Sequence, residues 1–328
     1  MLSLCFQAGG RMEIRQLKYF VRIVELGSLT RAAESLFIAQ PALSQQMASL
    51  EKDLGVKLLT RSVRGVAVTQ AGEAFYKQAN TILKQVENAR MIAASEHDHP
   101  SGMVSIGIPS SIANVLAVPL YSAIRTKYPD ILLEINETPS AYLDELVIKG
   151  RIDIGLLFNF SRTKGLKLRK LLSESIYLVG KQGSFESDDP ISMAEVCSME
   201  VLAPSRTNSI RVQIDKGLFS TGLDLIPVAE INATPVTKKL TLAGLGLSIL
   251  PWCAIDEELS SRMLQAKLIV DPEIRRDVYI CVSETVPLSH AALCVHQLMI
   301  DVAFDLIEQG KWKGVVALDQ HDALKDQG

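Results

Sequence analysis

Apolar residues recur at helical intervals through the first 98 positions and then give way to short apolar runs alternating with helical stretches. Leu17, Phe20, Val21 and Val24 predict a first helix that stops at Gly27. Ser28 reads as the N-cap of a short second helix over 29–37. A third helix starts near Pro41, which suits a first-turn position because proline has no amide hydrogen to lose there. Its inward face is Leu43, Met47, Leu50 and Leu54, and Gly55 ends it. Two short extended runs, 57–60 and 66–69, flank Arg64-Gly65 and predict a hairpin or wing. A long helix follows, with an apolar seam of Phe75, Ala79, Ile82, Val86, Ala89 and Ala93 narrow enough for helix-to-helix pairing. It breaks at His97-Asp98-His99-Pro100-Ser101-Gly102, a linker by composition.

Beyond residue 103 strands are expected at 104–108, 131–136, 152–158, 176–179, 201–203, 228–231, 247–250 and 278–282. Helices are expected at 115–128, 142–149, 237–243 and 291–309. This alternation predicts a parallel α/β unit followed by a second one, with the last elements rejoining the first. The expected organisation is therefore a short leading segment (1–11), a three-helix head with a hairpin or wing (12–69) and a linker or pairing helix (70–99). A two-lobe Rossmann-like body (100–310) follows, with lobe 1 about 103–174 plus 268–310 and lobe 2 about 175–267. A frayed tail (311–328) ends the chain.

Composition narrows the picture only in places. The 328 residues, 48% hydrophobic and 22% charged, are those of a soluble globular chain. The net charge of −3 demands no nucleic-acid partner, but its distribution is uneven. Residues 12–72 hold eight Lys and Arg against five Asp and Glu, whereas 100–328 hold twenty-two against twenty-eight. A weakly basic head on an acidic body points one end towards nucleic acid. Cys5, Cys197, Cys253, Cys281 and Cys294 are odd in number and scattered, with no CxxC, which fits a reducing cytoplasm better than a disulfide framework. A redox pair of Cys281 with Cys294 is the rarer alternative to isolated buried thiols. His97 and His99 flank the linker, and His290 and His296 lie six apart, off one helical face, so no metal is expected. No secretory leader is read in residues 1–10, and no run of 18 uncharged apolar residues suggests a membrane span.

The third helix carries the first candidate chemistry. With its apolar face inward, Gln40, Pro41, Ser44, Gln45 and Ser49 lie on or near the outer face. Glutamine can pair with adenine N6 and N7, and serine serves a base or a phosphate. Thr30 and Arg31 in the second helix, and Arg61 and Arg64 around the wing, are placed to meet phosphates or a minor groove. The plain alternative is a three-helix bundle with a solvated polar face.

Several motifs in register reduce that ambiguity. Leu17-Lys18-Tyr19-Phe20, Gly27-Ser28-Leu29-Thr30-Arg31-Ala32-Ala33, Ala39-Gln40-Pro41-Ala42-Leu43-Ser44-Gln45-Gln46, Leu50-Glu51, Leu54-Gly55 and Thr69-Gln70-Ala71-Gly72 closely resemble the LysR-type transcriptional regulators. Within them, the chain looks most similar to the nitrogen-assimilation control branch. The resemblance spans residues 12–310, beginning where family chains normally start, and so implies that the extension 1–11 is dispensable. It implies a winged helix-turn-helix, a dimerising linker helix and an effector-binding body like a periplasmic binding protein. It implies no enzymatic activity, no cofactor beyond a small organic effector, and double-stranded DNA as partner, at dyad sites with a T-N11-A core. A homodimer assembling to a homotetramer, contact with RNA polymerase, an activator's role and a cytoplasmic location come with it. Family members often carry Arg where this chain has Gln45, which changes the base preference expected there.

In the body, Pro109-Ser110-Ser111, Thr138-Pro139-Ser140 and Pro204-Ser205-Arg206-Thr207-Asn208 sit at strand-to-helix junctions. Such junctions expose helix N-terminal amides that hold anions. Capping by the same hydroxyls is the simpler explanation from the residues alone. Facing one inter-lobe cleft, the three junctions suit a small carboxylate-like molecule with Arg206 adding charge, and the resemblance makes Ser110, Ser111, Ser140 and Thr207 effector-pocket candidates. The glycines of Ala243-Gly244-Leu245-Gly246-Leu247 read as a turn rather than a dinucleotide fingerprint, and no GxSxG, P-loop or HExxH occurs. A solute-binding or transport protein is the rival reading from another class, and it leaves the head unexplained; a two-lobe enzyme ranks third.

Overall fold

The protein is described here from a computed structural model, which covers residues 12–62, 65–94, 100–158 and 163–317. It forms two compact units, residues 1–96 and 97–328. The expected extension 1–11, the linker histidines His97 and His99, and Arg64 lie outside the described residues, as do the side chains of Arg61 and Ala93.

In the first unit, α1 (Ile14–Leu26) and α2 (Leu29–Ser35) precede α3 (Gln40–Leu54), and the hairpin β1 (Leu59–Ser62) and β2 (Gly65–Val68) leads into α4 (Gln70–Ala94). Gly27 and Gly55 end α1 and α3 in the left-handed conformation, and the Ser28 side chain caps α2 on the Arg31 amide, as the sequence predicts. Leu17, Phe20, Ile23, Ala32, Ala33, Leu43, Met47 and Leu50 close one core.

Three expectations change. Leu54 is 36% exposed instead of inward, because the core ends one turn earlier at Leu50. The second helix stops at Ser35, and Phe37 is left-handed (φ 56°) and 95% exposed. The seam of α4 is not wholly free for pairing. Ala79 is fully buried in this core, Phe75 packs edge-on against Phe20 with ring centroids 5.2 Å apart, and Ile82 packs beside them. The apolar face of α1 needs cover, and the first turns of α4 supply it; Val86 stays half-buried and Ala89 exposed.

The second unit opens with β3 (Gly102–Ile108), α5 (Ser110–Lys127), β4 (Ile131–Glu137), α6 (Ser140–Ile148), β5 (Ile154–Phe158) and β6 (Leu166–Lys181). Next come β7 (Ile191–Ser192), α7 (Met193–Cys197), β8 (Val201–Ala203), α8 (Ser209–Leu218), β9 (Ala229–Glu230), α9 (Thr234–Leu242) and β10 (Leu247–Pro251). A 3-10 turn (Trp252–Ala254), α10 (Asp256–Ser260), β11 (Leu264–Val270), β12 (Arg275–Ser283), α11 (His290–Glu308) and β13 (Val315–Ala317) complete it.

Strands β4, β3 and β5 are parallel, as expected, but β12 runs antiparallel between β5 and β6, so the sheet is mixed. The 16-residue β6 belongs to both lobes. Its first part, to Ser175, pairs with β12, and from Ile176 it pairs with β10 and β11. One core sits between α5, α11 and the lobe 1 sheet (Ile106, Leu116, Ile154, Val278, Val295), another in lobe 2 (Ile176, Val201, Ile214, Ile249).

Helix α11 has the length and apolarity to cross a bilayer, but Ala292, Val295, Met299, Ala303 and Leu306 are buried within the lobe 1 core, so it is a core helix of this lobe. The residues after Gly310 are not frayed at first. Trp312 is 2% exposed and β13 pairs with Leu172, Ser173 and Glu174 of β6. A bulky indole with an open sheet edge beside it finds cover there.

Candidate functional site

The outer face of α3 takes its position from what lies beneath it. Leu43, Met47 and Leu50 are buried, so Pro41, Gln45 and Ser49 point outward, with Gln40 and Ser44 half-covered at the edge. Thr30 and Arg31 of α2 are exposed as well. The Arg31 guanidinium donates to the Leu26 carbonyl, so it must leave that bond or share it to reach a phosphate.

A residue that sequence reasoning passed over fixes the wing to this helix. Glu51 Oε1 accepts the Leu58 and Leu59 amides at 2.9 and 3.1 Å, and Oε2 meets Lys57 Nζ at 2.6 Å. Burial opposes ionisation of Glu51, but the bonds from Lys57 and the two amides outweigh it and hold its pKa below the ordinary value. The wing is tied at its other edge by the Val66 amide on the Gly27 carbonyl, 3.0 Å. The result is a rigid polar helix face and a hairpin braced beside it, the arrangement that lets a helix enter a major groove.

In the second unit a cavity of about 400 Å³ opens between the lobes. Ser110, Ser111, Ser140 and Thr207 line it, together with Phe158, Asn208, Thr234 and Arg276. The first residues of four helices, α5, α6, α8 and α9, contribute to its wall. The capping explanation for the serines does not hold. Pro109, Pro139 and Ala233 cap α5, α6 and α9 without any side-chain bond, and only Asn208 caps its helix. Ser110 instead donates to Glu137, Ser140 Oγ accepts the Phe158 amide, and Thr207 pairs with Ser205.

Arg206 is not in the wall. It is drawn away to Asp224 (3.2 Å) and Asp215 (3.7 Å), in an ion network that also holds the buried Arg211. Among the described residues the cation of the pocket wall is Arg276, on a strand whose alternation the sequence shows but whose inward charge it does not reveal. Its Nη2 donates to both Glu174 oxygens (3.0 and 2.8 Å) and to Ser111 Oγ (3.1 Å), and its guanidinium lies 3.6 Å from the centre of the Phe158 ring. The Cys253 thiol donates to Glu174 from behind, and burial first, then the Glu174 charge, pushes its pKa well above the ordinary thiol value. Cys281 is likewise buried, its pKa pushed up to about 12, so neither thiol is poised as a nucleophile. With Arg276 balanced by Glu174, the described residues of the wall offer helix dipoles and hydroxyls more than net charge.

A braced helix-turn-helix on one unit and a two-lobe pocket on the other define a DNA-binding regulator with an effector-binding domain. Residues 14–73 match the family described as bacterial regulatory helix-turn-helix protein, lysR family, and residues 97–303 match the LysR substrate binding domain. The nitrogen assimilation regulatory protein nac of Escherichia coli is 33% identical over 304 residues, 92% of this chain and 99% of that protein. A full-length OxyR from Pseudomonas aeruginosa shares the fold with a TM-score of 0.66 at 21% identity, over 89% of this chain and 95% of that one. Full-length CbnR, solved complexed with its target DNA, superposes with a TM-score of 0.61 at 22% identity, over 88% and 99%. The chain belongs to the LysR family and is a LysR-type DNA-binding transcriptional regulator, similar in sequence to the nitrogen assimilation regulatory proteins.

Proposed function

We propose that the protein reads its operators through Gln40, Pro41, Ser44, Gln45 and Ser49 of α3, with Thr30, Arg31, Arg61 and Arg64 on phosphates or the minor groove. The observation that carries this is the polar outer face of α3, held in place by Leu43, Met47 and Leu50 beneath it. The sites are dyads with a T-N11-A core, bound in the cytoplasm by homodimers that assemble to homotetramers, and RNA polymerase is the further partner at promoters it activates. Beyond Ile82, the α4 seam of Val86, Ala89 and Ala93 pairs two copies. A gel-shift series on the protein's own upstream region tests the reading. Gln45→Ala is expected to relax base preference with a nearly unchanged salt slope, whereas Arg64→Ala lowers affinity on every sequence and flattens the slope by about one. Equal loss of affinity on all duplexes for Gln45→Ala rejects base reading.

The pocket takes a small carboxylate-like effector. The uncapped N-termini of α5 and α6 in one lobe and α9 in the other favour an anion, while the Arg276–Glu174 pair supplies no unbalanced cation. This supports a monoanion, held by backbone amides with the Ser111, Ser140 and Thr207 hydroxyls, over a dianion. The effector acts by binding one arrangement of the tetramer better than another. Calorimetry against small mono- and dicarboxylates checks it, and absence of heat from every compound favours a regulator that needs no effector.

A further inference from the structure

Phe37 is the most exposed large apolar residue among the described residues of the first unit, at 95%, and it occupies a conformation that favours glycine. The Ile38 amide bonds to the Ala33 carbonyl and the Phe37 amide to the Glu34 carbonyl, 3.1 Å each. Those two bonds are the Schellman closure of a helix, with Phe37 at the left-handed position where glycine is usual. The turn needs the conformation, because it swings the chain from α2 into α3 within four residues. It does not need the ring: glycine would adopt φ 56° without strain and expose no apolar surface. A local rule broken twice at one residue, in backbone and in hydration, marks a position kept for something outside the fold.

What lies outside is set by position. Phe37 stands three residues before Gln40, the first residue of α3, and so at the leading end of the helix that enters the groove. The apolar surfaces a duplex presents at a groove edge are thymine methyl groups and deoxyribose faces, and phenylalanine is one of the side chains that packs on the former. We infer that Phe37 is a DNA-contacting residue whose ring packs on an apolar surface of operator DNA at the entrance of α3. This rests on the reading of α3 as the recognition helix.

The test separates contact from structure. Phe37→Gly relieves the backbone and Phe37→Ala keeps it strained, while both remove the ring. Both are expected to bind a duplex from the upstream region about five- to tenfold more weakly than wild type, the size of losing one buried aromatic contact. The melting temperature of the glycine variant is expected to hold or rise. Duplexes with deoxyuridine replacing thymidine, one position at a time, identify the surface. Loss of wild-type affinity at one position, absent in the glycine variant, assigns a thymine methyl; no such position, with the five- to tenfold loss intact, assigns deoxyribose. Wild-type affinity in both variants overturns the inference while leaving the recognition helix in place, and so does unchanged affinity with an altered oligomeric state, which gives the ring to a protein partner. If the wild-type protein itself binds no upstream duplex, it is the parent reading that falls.

Discussion

Glu51 shows how much a single carboxylate arranges in the head. Its two oxygens join the end of the reading helix to the first wing strand through three donors. Because its folded pKa is lowered, the stability it adds is complete above about pH 4.5 and disappears as pH falls through the folded value. Native-state hydrogen exchange at the Leu58 and Leu59 amides is the measurement. Wild-type protection is expected to fall across that acid window, and Glu51→Gln to show reduced protection that no longer varies there. Identical pH curves for the two proteins would discard the brace. The Leu50-Glu51 motif marks the position without saying what Glu51 does, since an acidic residue on a helix has no visible partner until the chain returns. Arg276 was hidden for the same reason: its partners Glu174 and Ser111 lie 102 and 165 residues away.

At the scale of elements, the strongest periodicities translated directly. The helices of the head, the Gly27 and Gly55 stops and the hairpin are all visible in spacing, because each is fixed by neighbours within a few residues. Of β6 only the stretch 176–179 was visible, and β11 was not. Leu171 and Leu172 of β6 are both buried beside a register shift opposite Val278/Tyr279, so period-two alternation breaks in mid-strand. The burial of Lys-flanked Trp312 likewise depends on a sheet edge formed far upstream. Trp312→Ala is therefore expected to destabilise the second unit by about 3–5 kcal/mol, the cost of emptying a buried indole site, read from urea denaturation; a change below about 1 kcal/mol, the level of ordinary surface substitutions, would restore the frayed-tail view. Gly72 makes an independent demand in the head. A Cβ there would stand 2.1 Å from the Leu58 carbonyl oxygen, so Gly72→Ala must push α4 off the wing and lower the melting temperature.

For the whole molecule, the motifs of the head made the family legible, while the pocket was legible only as a place. Three junctions were readable; the cation facing them was misassigned to Arg206, because Asp215 and Asp224, which claim it, come later in the chain. Each unit closes its own cores, so residues 97–317 are expected to melt cooperatively alone, with Trp252 and Trp312 fluorescence as in the full chain; a broad, non-cooperative transition would show that the head supports the body.

The strand β6 that changes partners between Ser175 and Ile176 has a mechanical consequence. A jaw on a floppy hinge swings wide. Two jaws that share one strand turn about it at the Ser175–Ile176 step, because the ladder to β12 on one side and those to β10 and β11 on the other stay whole. Whatever closes the cleft between the lobes is therefore felt as a twist of β6.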